Sequence, residues 1–324
     1  MAEIISIEHR PDDALSRAIE LLSSRKPIAI PTETVYGLAA DATNPDAITS
    51  IYTTKGRPQF NPLICHMADI DMAERYGEFD EISKKLAEHF WPGALTIVVP
   101  LKSGSGIHKL ATAGLETVGI RVPKGFAAKI IAEFDKPLAA PSANSSGKIS
   151  PTTAEHVQAD LGQKIELILD NGACDVGVES TIVKSDGENV YLLRPGGVSA
   201  DEIEAVIGEP LLRLDGKQGH KIEAPGMLTS HYAPNATMRL NVTSVQSDET
   251  LITFGKSNID DEGNAKAVFN LSAQGDLSEA AHNLFDMLIE ADKTGATMIA
   301  VAPIPNKGLG EAINDRLTRA AAPR

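Results

Sequence analysis

The sequence predicts an α/β fold, mixed α+β in detail, with one domain of about 200 residues and a smaller Rossmann-like domain after it. Three observations lead there. Short apolar runs alternate with amphipathic stretches over the first two thirds of the chain. The rhythm breaks near residue 208, and residues 208–237 carry Gly, Pro and charge with few apolar runs. A shorter α/β series then runs to the end.

Residues 14–22 put Ala14, Leu15, Ala18, Ile19 and Leu22 on one helical face. Residues 27–30 (PIAI) follow as a buried strand that ends at a Pro31-Thr32 turn. Asn44 reads as an N-cap with Pro45 in the first helical position, and Gly56 caps that helix after Lys55. Strands are expected at 62–67, 94–100, 117–122, 165–170, 180–184 and 189–193. Helices are expected at 80–90, 126–134, 153–161 and 200–207. Beyond the break, strands are expected at 238–242, 251–254, 266–270 and 297–302, with helices at 277–291 and 309–321.

Composition limits the function. Of 324 residues, 42% are hydrophobic and 4% aromatic, so aliphatic side chains must fill the cores. A formal net charge of −14 argues against a general nucleic-acid or anionic-membrane binder, though it allows a local basic cleft. Cys65 and Cys174 are too few for a disulfide framework or a Cys-rich zinc site, and read as reduced thiols of a cytoplasmic protein. The opening MAEIISIEHRPDD has no basic region followed by an apolar run, so no secretory signal is expected. No apolar stretch reaches the roughly 18–20 residues that span a bilayer.

Familiar nucleotide motifs are missing. Gly255-Lys256-Ser257 resembles the end of a phosphate loop, but Thr250 stands where the upstream glycine is required. The chemistry gathers instead in four polar segments at predicted strand ends. Pro31 to Leu38 (PTETVYGL) packs two hydroxyls, a carboxylate and a phenol into five positions. Lys55 to Leu63 presents Lys55 and Arg57 around a glycine, a point charge and a planar fork suited to phosphate oxygens, and His66 follows in a strand. Ala140 to Thr152 is rich in small residues and hydroxyls that can form an anion nest. Gly177 to Ile182 is followed by Leu193 to Gly197, where Arg194 ends an apolar strand. Singly, these read as a capped turn, a helix end, a surface loop and a structural ion pair.

Together they carry more. PTETVYGL, KGRP with NPL and His66, PSAN with SGK and SPT, ESTI and LRPGG occur here in that order. The set resembles the YrdC-type threonylcarbamoyl-AMP synthases. APGMLTSHYAP at 224–234 and the ending GLGEAINDRLTRAA resemble the long form of that family. The resemblance implies a YrdC-like twisted open sheet with a concave site over 11–200, a linker or lid over 208–237, and a Rossmann-like domain over 238–324. It implies that L-threonine, bicarbonate and ATP give L-threonylcarbamoyladenylate and pyrophosphate, with Mg²⁺ accompanying ATP and no prosthetic group. The product would serve a tRNA-modifying transferase, without strong tRNA contact or a membrane.

By the same resemblance, Lys55, Arg57, Ser142 and Asn144 act on the nucleotide phosphates and the transition state. Arg57, Asn61, Thr117, Ser142, Ser150, Arg194 and Tyr232 would contact ATP. Thr34, His66, Arg121 and Ser180 would hold threonine, Arg121 through its carboxylate. No residue stands out as a covalent nucleophile or a metal ligand. An RNA-binding module on the same concave surface is the alternative, which the net charge disfavours. A carbamoyl-adenylating hydrogenase-maturation enzyme is another, and its Cys-rich zinc fingers are not in this sequence.

Overall fold

The computed structural model describes residues 1–58, 61–213 and 230–323. Its larger sheet region comprises β1 (Glu3–Ser6), α1 (Pro11–Ser23), β2 (Ile28–Ile30), β3 (Gly37–Asp41), α2 (Pro45–Lys55), β4 (Ile64–His66), α3 (Ile70–Tyr76), α4 (Glu81–Phe90) and β5 (Leu95–Pro100). It continues with β6 (Thr117–Arg121), α5 (Phe126–Phe134), β7 (Leu138–Ala139), α6 (Ala154–Leu161), β8 (Leu167–Asp170), β9 (Thr181–Ser185), β10 (Val190–Arg194), α7 (Ala200–Ile207) and β11 (Leu212–Arg213). The C-terminal unit holds β12 (Thr237–Leu240), β13 (Thr250–Thr253), β14 (Ala267–Asn270), α8 (Leu277–Lys293), β15 (Met298–Val301) and α9 (Leu309–Ala320).

The large sheet runs β1-β8-β2-β3-β7-β4-β6-β5-β9-β10-β11 and is mixed. β4 with β6 and β5 with β9 are parallel, whereas β2–β3, β3–β7, β4–β7 and β5–β6 are antiparallel. The small sheet, β12-β15-β13-β14, is parallel throughout, as the Rossmann-like pattern leads one to expect. No helix among the described residues is long and apolar enough to cross a membrane.

Local chemistry sets the boundaries. Asn44 accepts from the amides of Asp46 and Ala47, and Gly56 closes α2 in the left-handed conformation at φ 62°. Ser199 and Glu202 form a reciprocal capping box on α7. Asp80 and Asp276 cap α4 and α8.

Several elements depart from the sequence expectation, β1 and β7 among them, since no expected strand covers either. β3 is built from Gly, Leu and Ala, residues without strand propensity, and is held by pairing on both sides. α3 was hidden in a run of mixed polarity, although Asp69 caps it through the Met72 amide at 2.7 Å. The expectation that 208–237 contains no packed element fails at both ends. β11 joins the large sheet beside β10, and Arg213 makes a two-pronged bond to Glu311 of α9 at 3.0 and 3.1 Å. At the other end Tyr232 is fully buried. Ala224–Thr229 of that run lie outside the described residues.

Packing joins the two units. The larger core is aliphatic and lies around the big sheet. The second core mixes Phe285, Leu288 and Ile313 of α8 and α9 with Val35, Ile149, Val178 and Tyr232. Val35, Ile149 and Val178 belong to the polar segments of the first unit, so the C-terminal unit covers those segments directly. Gly177 shows how close the contact is. It has φ 77°, and a Cβ there would meet the His282 backbone of α8 at 2.4 Å.

Candidate active site

The polar segments do converge, but across one face of the sheet rather than at one end of its strands. His66 and Arg121 are paired at the C-terminal ends of parallel β4 and β6. β7 runs antiparallel to β4, which carries Ser142 to the opposite end, where it bridges to Gly37. Ile64 and His66, two residues apart on one face, line the same cavity.

A hydroxyl relay organises the first side of that cavity. Arg121 Nη1 donates to Thr34 Oγ1 at 2.8 Å, Thr34 and Thr32 hydroxyls lie 2.9 Å apart, and Thr32 Oγ1 donates to the Val35 carbonyl at 2.7 Å. Because Thr32 gives its proton to Val35, Thr34 must donate to Thr32. Arg121 also donates through Nε to the Gly93 carbonyl at 3.0 Å and pairs through Nη2 with Glu33 at 2.7 Å. That last contact is a close, buried ion pair. Burial pushes the Glu33 carboxyl up, but the Arg121 charge and hydrogen bond bring it below its ordinary value. Burial, followed by the Arg121 charge, drives His66 down to about 3, so its imidazole is neutral at physiological pH. Its Nδ1 has no partner among the described residues. Ser180 completes this side, its hydroxyl 2.7 Å from that of Thr96.

The second side is cationic. Arg57 is buried, and its Nη2 donates to the Pro62 carbonyl at 3.1 Å. Its Nε is without a partner among the described residues. Burial lowers its pKa to about 10, an unusual depression for a guanidinium. Lys55 ends α2 and is also buried, but its ammonium donates to the carbonyls of Ser142 and Asn144 at 2.5 Å each and to Asn144 Oδ1 at 3.4 Å. Burial, then repulsion from Arg57, depresses it well below its ordinary value. Asn144 donates onward to the carbonyls of Ser145 and Lys148, both at 2.9 Å. Lys55 therefore pins the PSAN loop.

Arg194 crosses from the end of β10 to the Ser180 carbonyl, with Nη2 at 2.8 Å and Nε at 3.2 Å. Gly196, two residues on, lets the two backbones come this close. A Cβ on Gly196 would stand 2.3 Å from the Glu179 carbonyl oxygen and 2.4 Å from the Thr181 nitrogen. Glu179 accepts from the Ser150 hydroxyl at 2.5 Å and from Arg316 of α9 at 2.8 Å. Burial raises its carboxyl, and the charges of Arg316 and Arg194 outweigh this and hold it at about 2.

The roof is the end of the linker. His231 donates its amide to the Arg319 carbonyl at 3.2 Å, and Ala233 donates to the Gly147 carbonyl at 2.9 Å. Tyr232 sits at φ 62°, stacked on Phe285 at 5.5 Å with Arg316 5.3 Å from its ring centre.

Thr34, His66, Arg57, Arg121, Ser142, Ser180, Arg194 and Tyr232 thus line one cavity. Its free space is about 50 Å³, enough for a few waters and far below the size of a nucleotide site. Lys55, Asn144 and Ser150 stand behind the wall and support it. Asn61 is buried nearby, its Oδ1 without a partner among the described residues. Thr117 does not line the cavity, although it shares the Arg121 face of β6 with Gly119 between them. Sequence reasoning gave no role to Thr32, Glu33, Glu179 or Arg316. The first three lie inside the polar segments already singled out, so they could have been nominated from there. Arg316 lies in the C-terminal run GLGEAINDRLTRAA, where nothing set it apart from Arg319.

Comparison with known proteins follows the same division. Residues 20–196 match the Sua5_yciO_yrdC family model, described as "Telomere recombination". Residues 198–322 match the model for "Threonylcarbamoyl-AMP synthase, C-terminal domain". The threonylcarbamoyl-AMP synthase of Bacillus subtilis (strain 168) is 40% identical over 97% of this chain and 94% of its own length. That of Pyrococcus abyssi is 39% identical over 100% of this chain and 99% of its own. The crystal structure of P. abyssi Sua5 complexed with L-threonine superposes with a TM-score of 0.88 at 37% identity, covering 99% of this chain and 98% of that one.

Proposed function

The chain belongs to the Sua5/YciO/YrdC family, in the form with a threonylcarbamoyl-AMP synthase C-terminal domain, and from that premise we propose that it makes L-threonylcarbamoyladenylate and pyrophosphate from L-threonine, bicarbonate and ATP. The observation that carries this reading is the two-sided cavity. One side offers a buried guanidinium, Arg57, that forms no ion pair among the described residues. The other offers hydroxyl, guanidinium and imidazole groups suited to a hydroxy-amino acid.

Threonine would lie against Thr34, His66, Arg121 and Ser180. Arg121 uses Nε, one Nη1 proton and one Nη2 proton on Gly93, Thr34 and Glu33, and keeps two N–H groups for the substrate carboxylate. A neutral His66 does not repel the substrate ammonium. The amine, as free base, adds to the carbon of bicarbonate with loss of water and forms the N-carbamate. A carbamate oxygen then attacks the α-phosphorus of ATP, and the bond from that phosphorus to pyrophosphate breaks. Negative charge grows on phosphate oxygens, so fixed cations and N–H groups supply most of the catalysis. Arg57 and Arg194 fit that role, with Ser142 and the backbone of the loop that Lys55 and Asn144 hold. Mg²⁺ enters on the phosphates of ATP as part of the substrate. Asn61, Ser150 and Thr117 would complete the nucleotide contacts, Thr117 by extension along the sheet face past Gly119.

The small cavity implies that the His231–Tyr232 segment moves aside for ATP and then closes, shielding the labile carbamate and acyl-adenylate from water. Cys65 and Cys174 are both buried, and burial pushes both thiols up, Cys65 to about 12, which suits them poorly to nucleophilic attack. The product would pass in the cytoplasm to the transferase that modifies tRNA. Pyrophosphate release from ATP tests the reading, with threonine, bicarbonate and Mg²⁺ omitted in turn. Each omission should abolish release, and formation of ADP and phosphate would overturn the assignment.

A further inference from the structure

α9 carries Arg316 and Arg319, and its sequence does not distinguish their uses. The fold does. Arg319 is bonded to Asp315 on its own helix, whereas Arg316 is fully buried and reaches out of the C-terminal unit to Glu179. Its Nε donates to Glu179 Oε2 at 2.8 Å, its Nη1 to Asp315 at 2.6 Å, and its guanidinium carbon lies 5.3 Å from the Tyr232 ring centre. Glu179 and Tyr232 line the cavity, and Arg316 does not. Glu179 is moreover the one carboxylate among the described lining residues.

A carboxylate there faces the same cations that phosphate needs. Around it stand Arg316 from α9, Arg194 from β10, the Ser150 hydroxyl, and the more distant charge of Lys55 on α2, with His231 and Tyr232 above. If the carboxylate were not held by Arg316, it would be drawn to Arg194 and would compete with ATP for it. Stability alone does not account for a buried pair of this kind, because apolar residues of similar volume often replace such pairs without loss. We infer that Arg316 is a positioning residue, by which the C-terminal unit neutralises Glu179 and seats the Tyr232 ring, so that the nucleotide side of the pocket is complete only when the two units are docked. The inference rests on the reaction proposed above and adds a residue to it that does not touch substrate.

The test uses full-length protein and pyrophosphate release, with wild type, Arg316→Met, Arg316→Lys and the double variant Arg316→Met/Glu179→Gln. Arg316→Met should raise the KM for ATP by about tenfold or more and leave the KM for threonine within about twofold. Arg316→Lys should recover part of the loss. The double variant should bind ATP better than Arg316→Met alone, because the competing carboxylate is gone. Unchanged ATP kinetics in Arg316→Met would overturn the inference, as would equal losses for both substrates or a double variant no better than the single one. If Arg316→Met does not fold, the same split between the two KM values is read from Arg316→Lys. A wild type that releases no pyrophosphate would instead strike the underlying reaction, and the inference with it.

Discussion

Arg57 gives the sharpest prediction, because its two consequences have opposite signs. Among the described residues its buried guanidinium has one protein acceptor, Pro62, and no carboxylate, and burial moves its pKa from 12.5 to about 10. The folded state loses this proton at lower pH than the unfolded state does. Stability therefore rises as pH climbs through that window, and at neutral pH the charge is a burden on the fold. A gap of this size corresponds to about 3 kcal/mol. Arg57→Met removes the charge and keeps most of the stem, but leaves the Pro62 carbonyl unpaired at a cost of about 1–2 kcal/mol. The net is a variant about 1–2 kcal/mol more stable than wild type without ligand, seen as a melting point roughly 2–5 °C higher. Turnover should fall at least about a hundredfold, the effect of losing one preorganised donor in the transition state. Arg57→Lys should restore little, since an ammonium cannot reproduce the fork. The assay is a thermal melt with and without a non-hydrolysable ATP analogue, beside pyrophosphate release. The analogue should stabilise wild type and not the variant. A variant that melts below wild type, yet is stabilised equally by the analogue, would make Arg57 a structural strut and refute the reasoning.

Four further outcomes are expected. His66 and His231 are both lowered to about 3 by burial, so between pH 6.5 and 5 the unfolded chain binds protons that the folded one does not. Stability should then fall with acid by about 1.4 kcal/mol per pH unit for each histidine, and His66→Gln should remove about half of that slope in urea titrations. An unaltered slope would place the acid sensitivity elsewhere. Thr34→Val breaks the relay from Arg121 to Thr32, and should raise the KM for threonine by about tenfold or more with little change for ATP. Wild type should prefer threonine over valine by at least about a hundredfold, and comparable rates would remove the hydroxyl-recognition role. Replacing residues 225–234 by Gly/Ser of equal length should weaken ATP binding and slow turnover, whereas a passive tether would leave both unchanged.

How much of this was legible in the sequence depended on the range of each interaction. α2 could be bounded to the residue because Asn44, Pro45 and Gly56 act locally. The four polar segments were visible because small residues, hydroxyls and cations are conspicuous between apolar runs. Their convergence on a face was not, since it follows from antiparallel β7 between β3 and β4, and β7 is two residues long. β3 escaped because GLAAD lacks the branched residues that mark a strand. The partners that give the site its character are also remote. Arg121 meets Thr34 across 87 residues, and Arg316 meets Glu179 across 137. Lys55 illustrates the same limit: its charge suggested phosphate, and only the fold shows that its donors face the Ser142 and Asn144 oxygens.

The net charge and the buried cations can be understood together. A chain at −14 offers ATP no long-range attraction, and solvent screens charges beyond about 8–10 Å in any case. Recognition must therefore occur at contact distance. Arg57 can act there only if water is excluded, because the same charge is worth several times more in a low-dielectric pocket than in solution. Two things enclose the cavity in this structure. His231 and Tyr232 roof the cavity, and Phe285 and Arg316 hold Tyr232 from the other unit. On the proposed reading, the C-terminal unit supplies the dryness on which the cations of the first unit would depend. Removing it would leave Arg57 solvated, and a solvated guanidinium in an acidic protein is a poor receptor for a triphosphate.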